Sequence, residues 1–339
     1  MSGFDEASYT TVPSPPFDSI SSIRFSPTNP DRMLVSAWDT TVRLYEVGEA
    51  GAKPSALQAK FDHRAAVLAC AFSADGSKGY SGGLDTSVRE LDLASEKITN
   101  LGAHNDSISS MTYVRSTNAL ITGSWDRTIR FWDVRSPTGS HIASHNTPER
   151  IYALDHVNNT LVVAMASRLF HIYDIRKMDV PAQERESSLK YMTRSLACMP
   201  DGQGYATASV EGRIAVEYFD PAPQIQEKKY AFKCHRQTIH DVDHVWPVNS
   251  LAFHPTYNTF ASAGSDGTVS IWDHKVKKRL RQYPKYPGSV ASVAFNCDGT
   301  KIAVGISYTW DEGEQGMKTQ NITPWVGVRK VGDEVKPKS

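Results

Sequence analysis

The sequence predicts an all-β protein, a seven-bladed β-propeller made of one repeated four-stranded unit. The segment from Ile121 to Trp132 contains two apolar strands joined by an Asp-Arg turn, and it has counterparts at Ser36–Val47, Ser81–Leu93 and Ser262–Asp273. Equivalent strand-end residues follow one another at intervals of 46, 41, 41, 44 and 55 residues: Tyr45, Leu91, Trp132, Tyr173, Glu217 and Trp272. A period in the low forties with Trp-Asp strand ends is typical of four-stranded propeller blades.

Seven strand openings set the number of blades. Each is a short apolar strand followed by a turn rich in Gly, Pro, Asn or Asp, from Ile20–Phe25 to Val290–Phe295, and these residues supply turn geometry. We therefore expect one domain over residues 1–339. The blades are expected at roughly 17–61, 62–101, 104–143, 148–190, 191–236, 246–283 and 288–330 plus 7–12.

The last unit lacks an outer strand of its own. Pro324–Arg329 has a strand pattern, residues 308–323 form a polar loop, and little chain follows. The extended segment Ala7–Val12 is the expected replacement, because a ring closed by its first and last strands has no exposed edge. The long interval of 55 residues predicts an insertion between Asp220 and Trp246.

Composition excludes several classes of function. The chain has 37 basic and 37 acidic residues, so strong general binding to nucleic acid or membranes is not expected. It has no apolar run of membrane-spanning length and no apolar core like that of a signal peptide, which favours a soluble protein of the cytosol or nucleus. Its four cysteines form no C-x-x-C pair, which disfavours a redox or zinc pair.

Two polar segments have alternative interpretations, and one class of enzyme is excluded. Cys234, His235, His240 and His244 could bind zinc or belong to a polar insertion loop, and the single cysteine favours the loop. The lysines and arginines between Lys275 and Lys285 could contact nucleic acid, but an exposed outer strand is favoured. A hydrolase is rejected because no nucleophile elbow is visible, so we expect no catalysis, no metal and no cofactor.

A peptide-binding rim is the sharper prediction. Trp38 and Trp125 both precede the turn aspartate, where two other units have Leu84 and Ser265, so the repeat does not require them. Arg213 and Lys233 are expected on neighbouring antiparallel strands of one blade, where two cations would attract an anion. The alternatives are indoles packed on neighbouring loops, and pairing of the cations with Glu211 or Glu217.

The repeats resemble those of the WD40 family over almost the whole chain. Unit three contains the buried polar set of that family, in which the imidazole, hydroxyl, carboxylate and indole N–H bond in series: His104, Thr122, Asp126 and Trp132. Unit six repeats it with Ser262, Asp266 and Trp272, whereas units four and five are degenerate. Trp132–Arg135 and Tyr173–Arg176 also resemble the W-D-x-R box of ubiquitin-ligase substrate receptors; the alternative is an arginine that bonds a neighbouring blade.

Other runs lie outside the general repeat pattern and resemble the mitotic-checkpoint Bub family of WD40 proteins, whose name stands for budding uninhibited by benzimidazole. They include ERESSLKYMTRSLA (184–197), EGRIAVEYFDP (211–221) and KKYAFKCHR (228–236). The nearest sister group is the Rae-type mRNA-export propellers. The resemblance implies a non-catalytic, monomeric adaptor of hetero-complexes. It implies that the protein is located in the nucleus, is found at kinetochores during mitosis, and is also present in the cytoplasm.

The Bub resemblance also implies partners and residue roles. The partners are GLEBS segments of checkpoint kinases and kinase-like proteins, and MELT repeats of a kinetochore scaffold phosphorylated on threonine. By matching motif, Trp38 and Trp125 are top-face aromatics, and Arg194 pairs with a GLEBS glutamate. Arg213 and Lys233 form the phosphothreonine clamp. The alternatives are a nuclear-pore and mRNA-export adaptor, and a cullin-RING substrate receptor.

Overall fold

Seven four-stranded antiparallel sheets form the blades of a propeller in the computed structural model, which describes residues 4–49, 53–135 and 141–338. The predicted all-β propeller is therefore confirmed. Blades 1 to 3 contain β2 (Ile20–Phe25), β3 (Arg32–Ala37), β4 (Thr41–Glu46) and β5 (Ala56–Asp62); β6 (Val67–Phe72), β7 (Lys78–Gly83), β8 (Ser87–Asp92) and β9 (Ile98–Ala103); and β10 (Ile108–Val114), β11 (Ala119–Ser124), β12 (Thr128–Asp133) and β13 (Ala143–Asn146).

The next three blades repeat this order. They contain β14 (Ile151–Val157), β15 (Thr160–Met165), β16 (Leu169–Asp174) and β17 (Gln183–Glu186); β18 (Thr193–Cys198), β19 (Gly204–Ser209), β20 (Arg213–Tyr218) and β21 (Tyr230–Lys233); and β24 (Val248–Phe253), β25 (Phe260–Gly264), β26 (Val269–Asp273) and β27 (Lys278–Gln282). Blade 7 joins β28 (Val290–Phe295), β29 (Lys301–Ile306) and β30 (Trp325–Lys330) to β1 (Thr10–Thr11).

The N-terminal strand closes the ring, as predicted. β1 pairs with β30 through Thr10↔Val328 and Thr11↔Gly327. Tyr9, just before β1, is buried against Tyr286 and Trp325, with ring centroids 6.0 and 5.4 Å away. The first strand is thus fixed by aromatic packing as well as by ladder hydrogen bonds, and it covers the edge that β30 would otherwise expose.

Two insertions depart from the simple repeat. Within blade 5, the connection between β20 and β21 contains α1 (Pro223–Gln226), and between blades 5 and 6 the chain adds a separate hairpin of β22 (Arg236–Ile239) and β23 (Val242–Val245). The segment 308–323, predicted as a loop, contains the helix α2 (Gly313–Gln320). In the described residues, 3₁₀ turns lie at Glu6–Ser8, Ala166–Arg168 and Asp333–Val335. None of the described helices has the length and apolar character needed to cross a membrane.

The polar series of blade 3 bonds as the repeat requires. His104 Nδ1 donates to Asp126 Oδ2 (3.0 Å), and Nε2 accepts from Thr122 Oγ1 (2.7 Å). The indole N–H of Trp132 donates to the same hydroxyl (2.8 Å). Both ring nitrogens of His104 are therefore satisfied in a buried site, and the four side chains tie β11, β12 and the turn between them to the connection before β10.

Removing the central hydroxyl is expected to destabilise blade 3. In Thr122→Val, the ring of His104 and the indole of Trp132 each lose a buried partner, which costs about 2–5 kcal/mol of unfolding free energy in total. Thr122→Ser keeps the hydroxyl and is the matched control, with a loss of about 1 kcal/mol for one methyl group. Urea unfolding followed by tryptophan fluorescence measures both. Equal losses in the two variants would contradict the role of the hydroxyl.

Buried histidines make stability sensitive to mild acid. Burial lowers the pKa of His104, although Asp126 opposes that change, and burial also lowers the pKa values of His254 and His274. Just below a pH of about 6.5, the unfolded chain therefore binds more protons than the folded protein does. We expect the melting temperature to be constant from about pH 7 to 8 and to fall as the pH decreases toward about 5. A flat profile over that interval would contradict this expectation.

Candidate peptide-binding face

One face of the ring carries most of the exposed apolar surface. We call it the top face; it holds the turns between the second and third strands of each blade, and the connections between blades. Eight of the twelve exposed large apolar side chains in the described residues lie on its connections: Phe17, Trp38, Tyr191, Met192, Val242, Val245, Trp310 and Met317. A face that carries most of the exposed large apolar side chains is a candidate binding site for a partner.

The two predicted tryptophans lie on this face at equivalent turns. Trp38 is 46% exposed, beside Phe17, whose backbone N–H donates to Asp39 (3.2 Å). Trp125 is half-buried, and its indole nitrogen is buried without a hydrogen-bond partner in the described residues. Trp38 is therefore available as an apolar contact, whereas Trp125 has an unused donor that a ligand carbonyl could satisfy.

Arg194 belongs to a set of seven equivalent residues at the mouth of the central channel. In each blade, one residue near the start of the innermost strand is a β-bulge that the second strand does not pair. All seven line the channel: Ser21, Leu68, Ser109, Tyr152, Arg194, Asn249 and Ala291. Bulges redirect side chains, and Arg194 is the one charged member of the set.

The cation pair Arg213 and Lys233 lies on the same face. The two residues are direct cross-strand partners, at the start of β20 and the end of β21. Gly212 sets the turn before Arg213, because it has φ of +64° and a Cβ there would lie 2.6 Å from the carbonyl oxygen of Cys234. Directly opposed like charges repel each other, and a bound anion would offset that repulsion.

Neighbouring carboxylates neutralise this pair only in part. Arg213 Nε is 3.9 Å from Glu211 Oε2, beyond hydrogen-bond distance, and it has no partner in the described residues. Glu211 is shared with Arg236 at 3.5 Å, and Glu217 pairs with Arg185 at 3.7 Å. No described carboxylate lies within 4 Å of the Lys233 ammonium.

Three features singled out in the sequence have local explanations. Arg135 and Arg176 each bind the aspartate two residues earlier, at 2.9 Å and at 2.6 to 2.9 Å, so the expected bond to a neighbouring blade is wrong. His235 completes the polar series of blade 6, with 2.8 Å contacts to Ser262 and Asp266. No group of metal-ligand side chains with the geometry for an ion occurs in the described residues.

Sequence reasoning missed part of this face. Phe17, which is 76% exposed, and Trp310 lie in segments without a repeat pattern, so no periodicity identifies them. Sequence reasoning also missed Asn249. This residue is the second of its strand, as Arg194 is of its own strand, and that equivalence is a signal that identifies it. Its amide donates to Ser265 (2.9 Å) and Val290 O (3.0 Å), which leaves Oδ1 buried without a partner in the described residues.

Comparisons with known proteins agree with the architecture. The family model described as "WD domain, G-beta repeat" matches residues 56–90, 95–133 and 227–273. The solved structure of U3-55K superposes with a TM-score of 0.77 over 96% of this chain and 100% of that chain, at 16% identity, which shows the fold alone. The fold and its polar series define a WD40 β-propeller.

Relatives over nearly the full length are more specific. The mitotic checkpoint protein BUB3.1 of Arabidopsis thaliana is 47% identical, with 96% of this chain and 93% of the relative covered. The mitotic checkpoint protein bub3 of Dictyostelium discoideum is 42% identical, with 95% and 96% covered. The mRNA export factor GLE2 of Chaetomium thermophilum is 39% identical, with 96% and 91% covered. The chain belongs to the Bub family of mitotic-checkpoint WD40 proteins, and the mRNA-export propellers are its near neighbours.

Proposed function

We propose that this checkpoint protein is a phospho-dependent adaptor without catalytic activity. It holds a GLEBS segment of a checkpoint kinase or kinase-like protein across the top face. It also binds a phosphothreonine MELT repeat of a kinetochore scaffold through Arg213 and Lys233. The observation that carries the proposal is the directly opposed, incompletely neutralised pair of cations on the face that also displays Trp38.

Charge favours a phosphate at this place. Arg213, Lys233 and Arg236 lie around one carboxylate, that of Glu211, so the group has an excess of two positive charges. A phosphothreonine carries about −1.5 to −2 charges near neutral pH. It would offset that excess and supply acceptors for Arg213 Nε and the Lys233 ammonium. An unmodified threonine supplies neither charge nor comparable acceptors.

The GLEBS segment is assigned to the centre of the face. Arg194 is exposed at the mouth of the channel, next in ring order to Asn249 with its unused carbonyl oxygen. A charged donor and a neutral acceptor on adjacent blades can fix the direction of an extended peptide. Trp38, Phe17 and Tyr191 supply apolar contacts around them, and interface energy concentrates on such aromatic and arginine side chains.

The absence of catalysis is supported by the structural roles of the histidine, aspartate and hydroxyl side chains. His104, Asp126 and Thr122 bond to one another inside blade 3, and His235, Asp266 and Ser262 do so in blade 6. Neither set offers a nucleophile beside a free base. By analogy with the checkpoint relatives, the proposed location is the nucleus, with kinetochores as the site of action in mitosis.

An mRNA-export role is the second candidate, because the export proteins of Chaetomium thermophilum and Schizosaccharomyces pombe are 39% and 38% identical to this chain. Titration with GLEBS peptides from a checkpoint kinase and from a nucleoporin separates the two. The checkpoint function predicts at least about tenfold tighter binding of the kinase peptide, a difference of about 1.4 kcal/mol. Preference for the nucleoporin peptide would favour export.

A further inference from the structure

A second candidate binding site lies on the bottom face, opposite Arg213 and Trp38. It is a pocket of about 1140 Å³ between blades 5 and 6. One wall is the connection between β20 and β21, which contains α1, and the other is the turn after β26. Tyr218, Phe219 and Ile225 provide apolar surface. The pocket has the size and mixed lining of a site for a side chain or short peptide.

His274 lines this pocket with an unused donor. It is 2% exposed, and its Nε2 is 3.1 Å from the amide nitrogen of Asn258, which also donates to Asp201 at 2.6 Å. Because the amide nitrogen is a donor, Nε2 accepts and the proton of the neutral ring lies on Nδ1. Nδ1 is buried without a partner in the described residues. A ligand oxygen that accepts from it would remove the cost of an unpaired buried N–H.

Three lysines line the same pocket. Lys275 and Lys277 belong to the turn that begins with His274, and Lys228 follows α1. Lys277 lies over the ring of Tyr230, with Nζ 4.6 Å from the centroid. None of the three pairs with a carboxylate within 4 Å in the described part of the chain.

Two carboxylates are also present but lie toward the other wall. Asp220 and Glu227 flank α1, and Asp220 already accepts from the backbone N–H of Ala222 at 2.9 Å. The lining therefore has an excess of one positive charge. Lys275 and Lys277 follow His274 in the chain, so this wall favours an anionic group, although the carboxylates of Asp201 and Asp273 also lie near the imidazole ring.

We propose that this pocket binds an acidic linear peptide of a protein partner. One peptide carboxylate would accept from His274 Nδ1 and face Lys275 and Lys277, and one apolar side chain would rest on Phe219 and Ile225. A nucleic acid is disfavoured because its binding needs many phosphate contacts, whereas this patch is small and the chain has no net charge. The site does not depend on the proposed top-face function, because its residues are different.

Fluorescence anisotropy with synthetic hexapeptides tests the proposal. In each probe, one Phe or Leu is flanked by Asp and Glu, and a paired probe has Asn and Gln instead. We expect the acidic probes to bind the full chain, and the amide probes to bind at least about tenfold more weakly, as expected when a charge-assisted bond is lost. The variant Lys275→Glu/Lys277→Glu is expected to weaken acidic binding by about tenfold or more.

Matched variants separate the pocket from general charge effects. Lys278→Glu/Arg281→Glu changes the net charge equally on the outer strand β27 and is expected to change affinity less than about twofold, as for other exposed charges. His274→Phe keeps a ring but no donor and is expected to weaken the acidic probe more than the amide probe, because a carboxylate is the stronger acceptor. Melting temperatures close to that of the wild-type chain confirm that each variant is folded.

Three results would overturn the proposal. The first is equal binding, or no binding, of acidic and amide probes to the wild-type chain. The second is equal weakening by the two double variants, which would indicate a diffuse basic surface. The third is tighter binding of a single-stranded oligonucleotide of six bases than of the acidic probes, together with loss of that oligonucleotide binding in Lys275→Glu/Lys277→Glu.

Discussion

Replacement of Arg213 by alanine is expected to lower the affinity for a phosphothreonine MELT peptide by about 10- to 150-fold. A hydrogen bond to a charged group contributes about 1.5–3 kcal/mol, and about 1.4 kcal/mol corresponds to a factor of ten. Lys233→Glu is expected to cost more, because a carboxylate would then face the phosphate. The two cations together correspond to about 10²- to 10⁴-fold, with the lower end favoured for exposed groups. Titration calorimetry with the phosphopeptide measures each loss.

The control for this experiment is a cation of the same face outside the clamp. Lys285 follows the outer strand of blade 6, close to the turn at Gly267, and Lys285→Glu reverses a charge there. We expect it to change phosphopeptide affinity by less than about threefold at physiological salt, where the screening length is about 8 Å. A loss as large as that of Lys233→Glu would mean that the face attracts anions without a specific clamp.

The second large effect is expected at the mouth of the channel. Arg194→Ala is expected to weaken binding of a GLEBS peptide by about 10- to 100-fold, because one charge-assisted bond to a peptide glutamate is lost. Trp38→Ala is expected to cost about 2 kcal/mol or more, as for other central aromatic contacts. Isothermal titration with a GLEBS peptide and with its glutamate-to-glutamine form measures both effects.

The control for Arg194→Ala is a variant of the other site, the proposed phosphothreonine clamp. Arg213→Ala is expected to leave GLEBS affinity within about threefold of wild type, since exposed charges at a distance contribute little. If Arg194→Ala weakens the glutamate and glutamine peptides equally, the arginine acts by packing and not by pairing with the carboxylate. If it weakens neither, the segment binds elsewhere on the ring.

The ring itself was predictable because its constraints are local and repeated. Asp126 and Trp132 recur with a fixed spacing, and each blade must bury the same faces, so the sequence repeats what the fold repeats. Closure by the segment before β2 followed from a missing outer strand and the cost of an open edge. The opposed positions of Arg213 and Lys233 followed from the expectation of two neighbouring antiparallel strands in one blade, although the connection between these strands contains α1.

The features that were not predicted depend on contacts between distant segments. His235 completes a polar series with Asp266, 31 residues later, because the hairpin of β22 and β23 separates them. The helix α2 lies in a polar loop without apolar periodicity, and the packing of Gly316 against Tyr308 accompanies it. His274 has an unused N–H only because Asn258 and Asp201, from two other turns, fix its ring.

The affinity of the wild-type chain for one MELT peptide with and without threonine phosphorylation is the most direct test of the adaptor mechanism. The opposed cations predict that phosphorylation tightens binding by about 10²-fold or more, and that Arg213→Ala removes most of that gain. Equal affinities for the two peptides, or a gain that Arg213→Ala leaves intact, would contradict a phosphate clamp formed by Arg213 and Lys233.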